Sequence, residues 1–111
     1  MHRQIADLTD ANLHGSDCTG ADFTSATLAG TDFTGAAIGA AGLAGTTADG
    51  FTAAQLYATD SYAAGDLADV VFTENDLSGW DLSGQDLSRA SFQDAILAGA
   101  DFTGATVRGA W

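Results

Sequence analysis

Few side chains in this chain could do acid–base or nucleophilic work. His2 and His14 are its only histidines, Cys18 its only thiol, and no lysine is present to act as base, Schiff-base former or phosphate ligand. A lone cysteine closes no internal disulfide, and Cys18 is expected in the core, where apolar surroundings raise a thiol's pKa and blunt its reactivity. His14 reads as a solvated face residue. The 14 glycines recur throughout instead of clustering once between a strand and a helix, so they form no phosphate-binding fingerprint. Enzymatic activity and a bound cofactor are therefore not expected. The abundant reactive group is the carboxylate: 15 acidic residues against 3 basic ones give a formal charge of −12 in 111 residues. That charge argues against direct nucleic-acid binding. No stretch approaches 18 apolar residues and Met1 to Asp7 lacks a secretory apolar run, so no membrane contact and a cytoplasmic, soluble, single small domain are the expectation.

What positions the carboxylates is a repeat. Leu8, Leu13, Cys18, Phe23, Leu28, Phe33, Ile38 and Leu43 follow one another at intervals of five, with Ala48 continuing weakly. The series resumes, shifted by one, as Leu67, Phe72, Leu77, Leu82, Leu87, Phe92, Leu97, Phe102 and Val107. Five matches neither the 3.6 of a helix nor the 2.0 of a strand, so the chain must turn once per unit. Two places before each large residue stands a small one, mostly Ala, which an extended segment points the same way. Two places after it stand 11 of the 14 glycines, where a four-residue turn needs positive φ. Short extended sides joined by corners make a coil whose inward residues stack into one column.

Units such as Ala6-Asp7-Leu8, Ala11-Asn12-Leu13, Ala21-Asp22-Phe23 and Ala100-Asp101-Phe102 resemble the pentapeptide-repeat family. The resemblance implies an all-β fold: a right-handed quadrilateral β-helix, or solenoid, with twenty residues per coil. About eighteen units then make about 4.5 coils and a rod of roughly 22 Å. The blocks are 6–50 and 65–109, separated by 51–64. Within the interruption, Thr52-Ala53-Ala54-Gln55 has capping-box spacing, with Phe51 and Leu56 placed as a hydrophobic staple, so a helical turn or two is expected over 53–58. After it the small inward place reads Gly65, Val70, Asn75, Trp80 and Gln85. A Trp there exceeds the space an Ala leaves, so the coil is expected to open locally, with Trp80 packing near Leu56 or the tyrosines.

Asp7, Asp17, Asp22, Asp32, Asp66, Asp76, Asp81, Asp86 and Asp101 all occupy the outward place before the central residue. Twenty-residue coils stack Asp66 on Asp86 and Asp81 on Asp101. Carboxylates about 5 Å apart need hydrogen bonds, screening or a cation. Ordinary solvated carboxylates are expected, with no metal site. The expected function is a structural or protein-interaction module whose partner surface draws on Leu56, Tyr57, Tyr62, Trp80, Trp111, Asp66, Asp81, Asp86 and Asp101. The protein partner is unknown, and a homodimer through an exposed coil end, with Trp111 as contact or shield, is one expected mode. The resemblance supplies an alternative, a DNA mimic that binds a type II topoisomerase such as gyrase. Twelve charges on 22 Å come to roughly one per 1.8 Å, against about 1.7 Å for duplex DNA. Outward threonines do not line up at twenty-residue spacing, which argues against an ice-binding face.

Overall fold

The structure, a computed structural model, describes residues 6–111. The stretch before Ala6, including His2 and most of the segment weighed as a secretory leader, lies outside the described residues.

The chain advances by single-residue parallel bridges. Asp7 pairs with Thr27, Asn12 with Asp32, Asp17 with Ala37 and Asp22 with Gly42, each twenty residues on. Four five-residue sides thus complete one turn, and the same interval returns in Asp66–Asp86–Thr106, Val71–Ser91, Asp76–Ile96 and Asp81–Asp101. A rung is one residue wide because a corner follows at once. In each unit the carbonyl of the central residue accepts from the amide three places later, as in Leu8 to Ala11 at 2.9 Å and Phe33 to Ala36 at 2.9 Å. The third residue of that corner has positive φ whether or not it is glycine: Asp10, Ser25, Ala40, Asp69, Glu74, Arg89 and Asp94 hold φ of 58–65°. Between turns, central amides donate to the next turn's rung carbonyl, as Leu8 N–H does to Thr27 and Leu82 N–H to Asp101, both at 2.8 Å.

Central residues point inward. Leu28, Ile38, Leu43, Leu67, Phe72, Leu77, Leu82 and Leu87 are buried, with Ala26, Ala36, Ala41 and Ala90 filling the small inward place. Rings run in chains through this core: Phe23, Phe33, Phe51 and Trp80 at centroid spacings of 5.9 Å, and Phe72 on Phe92 at 5.4 Å. Cover fails at the last turn, where Phe92, Leu97 and Phe102 are half-buried and Val107 is 52% exposed. The molecule measures 37 × 31 × 22 Å.

The interruption holds two short helices, α1 (Ala53–Tyr57) and α2 (Asp60–Ala63), after a 3-10 turn at Thr47–Asp49. The capping box is formed: Gln55 N–H donates to Thr52 Oγ1, and Thr52 N–H to Gln55 Oε1 at 2.7 Å. Thr59 caps α2 by accepting from Tyr62 N–H at 3.1 Å. Among the described residues one side keeps its bridge across the insert, Gly42 to Val71.

Candidate functional site: the acidic outer face and the insert

Each acidic rung is fixed by its own unit. The Oδ1 of Asp7, Asp17, Asp22, Asp32, Asp66, Asp76, Asp81, Asp86 and Asp101 accepts the backbone N–H two residues later, at 2.9–3.1 Å. Asn12 does the same for His14 at 2.9 Å. At Asp7, Asp22, Asp76, Asp81 and Asp86 the hydroxyl of that later Thr or Ser donates to the same oxygen, at 2.5–2.6 Å. Short polar side chains reach their own backbone in this way wherever a turn follows. The hydroxyl first, and the amide second, hold the carboxyls of Asp7, Asp76 and Asp86 below the ordinary value of 3.8. Asp66 does stack on Asp86, and Asp81 on Asp101. The hydrogen bonds that such stacking calls for come from within each unit. Among the described residues no set of three His, Cys, Asp or Glu converges as metal ligands. One ion pair relieves the acidity locally: Arg89 Nε reaches Asp69 Oδ1 at 2.9 Å, and its Nη2 reaches Oδ2 at 3.1 Å.

Cys18 is buried, and that burial, with the charge of Asp17, pushes its thiol pKa up. It is placed as a packing residue.

The insert stitches two blocks together with side chains. On the side carrying Asn12 and Asp32, the rung that should precede Asp81 is missing. Tyr57 Oη accepts from Asp81 N–H, and Tyr62 O–H donates to the Asp81 carbonyl, both at 2.7 Å. In regular rungs such as Asp32 and Asp101 the backbone of a neighbouring turn supplies those two partners. The tyrosine rings lie 4.7 Å apart. Gln55 Nε2 donates to the carbonyls of Leu28 and Thr31, at 2.6 and 3.0 Å, covering the facing turn. Another side is closed by Asn75, which accepts from Thr47 N–H at 3.1 Å and donates to the Leu43 carbonyl at 2.8 Å. There Asp76 N–H donates to Thr47 Oγ1 at 2.9 Å instead of to backbone. This irregular rung borders an open cavity of about 450 Å³ walled by Glu74, Asp76, Asp94 and Ile96. Sequence reasoning missed it, because nothing in the five-residue grid marks Thr47 as the start of a 3-10 turn.

The nine residues expected at a partner surface divide. Leu56 is fully buried and Trp80 is 8% exposed, so neither lines a surface. Leu56 is the inward anchor of α1, and Trp80 packs on Phe51. The expected opening at Trp80 is also displaced. The corner from Trp80 N–H to the Leu77 carbonyl holds at 3.1 Å, and Asp81 still bridges Asp101. The rung is lost on the opposite flank, where α1 has taken the place of a side. Tyr57 and Tyr62 reach the exterior with their hydroxyls committed to Asp81. Trp111 is 75% exposed, its backbone tied to Ala90 and Phe92, so it stands out from the coil and does not shield its end. Asp66, Asp81 and Asp101 are exposed and Asp86 half-exposed, with Asp66 paired to Asp86 and Asp81 to Asp101 as stacked rungs.

Twenty-residue turns of four short sides, an apolar interior and carboxylates on the rim define a repeat protein, without a constellation of catalytic groups among the described residues. The family model described as pentapeptide repeats matches residues 6–38 and 66–104 in eight copies, and the chain belongs to that family. No curated protein sequence matches it. Among solved structures it is similar to HetL, a pentapeptide repeat protein involved in heterocyst differentiation regulation from the cyanobacterium Nostoc sp. strain PCC 7120. That likeness has 22% identity and a TM-score of 0.54, covering 96% of this chain and 49% of HetL. It is also similar to AT2G44920, a pentapeptide repeat protein from the Arabidopsis thaliana thylakoid lumen, at 22% identity and a TM-score of 0.38, covering 96% and 65% of the two chains. The chain therefore spans about half the length of the first and two thirds or less of the second.

Proposed function

We propose that this chain is a non-enzymatic protein-interaction module. Its family supports that coarse reading, since pentapeptide repeat proteins serve as interaction or structural modules. The finer reading is a right-handed, four-sided β-helix that presents its acidic rim to a basic protein surface in a reducing, cytoplasmic setting. The observation that carries it is the Asx geometry: nine outward carboxylates are each pinned by a backbone amide, so the array is already ordered before any partner arrives. Ordering done in advance lowers the entropic cost of binding.

Asn12 supplies the test. It forms the same turn as the aspartates without the charge, so Asp→Asn at positions 66, 81, 86 and 101 removes four charges while keeping the turns. Capture from lysate onto the parent and onto this variant, followed by salt titration of each captured partner, is the experiment. The expected result is a basic partner that leaves the parent as salt rises and fails to bind the variant, whose thermal unfolding stays cooperative. Equal capture by both proteins would overturn the reading.

A further inference from the structure

Within each block, successive turns lie twenty residues apart, but Gly42 meets Val71 twenty-nine residues on. The excess is nine. Phe51 and Trp80 are also twenty-nine residues apart, with rings 5.9 Å apart, so they stand in the same inward column of consecutive turns. We infer that residues 52–60 are an in-phase addition to a complete twenty-residue turn, and that Phe51 and Trp80 fill the interior volume left by the bulky central residue that the addition displaced.

Three observations support this. First, joining Phe51 to Ser61 produces the unit Phe51-Ser61-Tyr62-Ala63-Ala64 ahead of Gly65-Asp66-Leu67, which sets Tyr62 five places before Leu67. Ala64 then takes the positive-φ corner, a place that Ala40 already holds at φ 58°. Second, the N-terminal caps of both helices, Thr52 with Gln55 and Thr59, fall inside 52–60, so neither helix keeps its cap once the segment is removed. Third, the sizes are inverted at Phe51. The central place in the first-block phase is Ala53, half-buried, while the normally small place holds the buried Phe51 and, one turn on, Trp80. In no other unit does an aromatic ring stand at that small place.

The volume argument dictates the test. Restoring Tyr62 to a central place would overfill the interior unless the two compensating rings are reduced. The variant therefore lacks 52–60 and carries Phe51→Ala, Trp80→Ala and Tyr62→Phe. Two controls carry the same substitutions but lack 53–60 or 52–61, one residue short of or beyond phase. A slip of one turns every side chain of a rung to the opposite face. Thermal unfolding by circular dichroism is expected to show one cooperative transition for the in-phase chain, no more than about 8 °C below the parent. Both controls are expected to lose that transition or to melt at least twice that far below it. If all three chains melt alike, or all three are unfolded, or a control is the most stable, the inference is wrong. Removing 50–63 instead would leave Gly42 and Val71 fifteen residues apart, one side short of a turn, and is expected to behave as the controls do.

Discussion

Gly20 and Ala40 occupy the same place in the repeat, the third residue of a corner, with φ of 72° and 58°. A Cβ on Gly20 would meet no atom within 4 Å, so its replacement tests backbone preference without a clash. For an L-residue the left-handed region costs about 1–2 kcal/mol. Replacing Gly also stiffens the unfolded chain, which returns about 0.4–1 kcal/mol. Gly20→Ala is therefore expected to destabilise by about 1 kcal/mol, and Ala40→Gly to stabilise by about the same amount. Gly50 offers the contrast. It lies at φ 100°, and a Cβ there would sit 2.7 Å from Ala29 Cα and Cβ, so Gly50→Ala adds a collision with backbone and is expected to cost clearly more than Gly20→Ala. Urea unfolding monitored by circular dichroism reads all three, and an unchanged m-value shows that the denatured state is comparable. Shifts of the same sign for Gly20→Ala and Ala40→Gly, or a Gly50→Ala loss no larger than that of Gly20→Ala, would refute the reasoning.

Four further outcomes are expected. Asp7, Asp76 and Asp86 have folded pKa values below 3.8, so their contribution is complete above that value and is lost as pH falls through the lowered ones. Urea melts between neutral and strongly acid pH should show this loss, and Ser78→Ala, which removes the hydroxyl on Asp76, should flatten it; an identical acid limb in that variant contradicts the account. Burial first, then the charge of Asp81 and the neighbouring Tyr57, pushes the Tyr62 phenol above its ordinary 10. Its contribution is intact below 10 and disappears as pH rises through the raised value, and phenolate absorbance of Tyr57→Phe, which leaves Tyr62 as the only tyrosine, should titrate above 10. Trp80→Ala empties a site that is 8% exposed and is expected to cost about 3–5 kcal/mol in urea melts; a loss under about 1 kcal/mol would mean that Trp80 does not fill the core. In a gyrase supercoiling assay at low salt, stoichiometric protein is expected to leave activity unchanged. Inhibition would revive the DNA-mimic alternative.

The five-residue grid was legible because the large central residues fill most of the interior, and Leu28 at full burial and Phe33 at 2% exposure sit where the grid puts them. The capping box was legible because its bonds are local to Thr52 and Gln55. The inward column that joins Phe51 to Trp80 was hidden: each block keeps its own phase, and only the Gly42–Val71 bridge fixes one against the other. For the same reason the sequence sets Trp80 near Leu56 or the tyrosines, and counts it and Leu56 among partner-surface candidates, whereas both are core and Trp80 packs on Phe51. The positive-φ corners at Asp10, Ser25 and Arg89 escape a glycine count because coil geometry imposes the conformation on whatever residue falls there. The tyrosine pair announces aromatic character in the sequence, but its substitution for a missing backbone rung at Asp81 depends on a contact across nineteen and twenty-four residues. The expected outward carboxylates are present, and their Asx bonds go to the backbone N–H two places on, which belongs to Thr or Ser in every such unit except that of Asp66, where it is Ala68.

The most direct test of the winding is a nuclear Overhauser map of the labelled chain. Cross-peaks between rung residues are expected at a separation of twenty, such as Asp7 with Thr27 and Asp81 with Asp101, and of twenty-nine only across the insert, at Gly42 with Val71. Contacts at any other constant separation, or none between Gly42 and Val71, would contradict it.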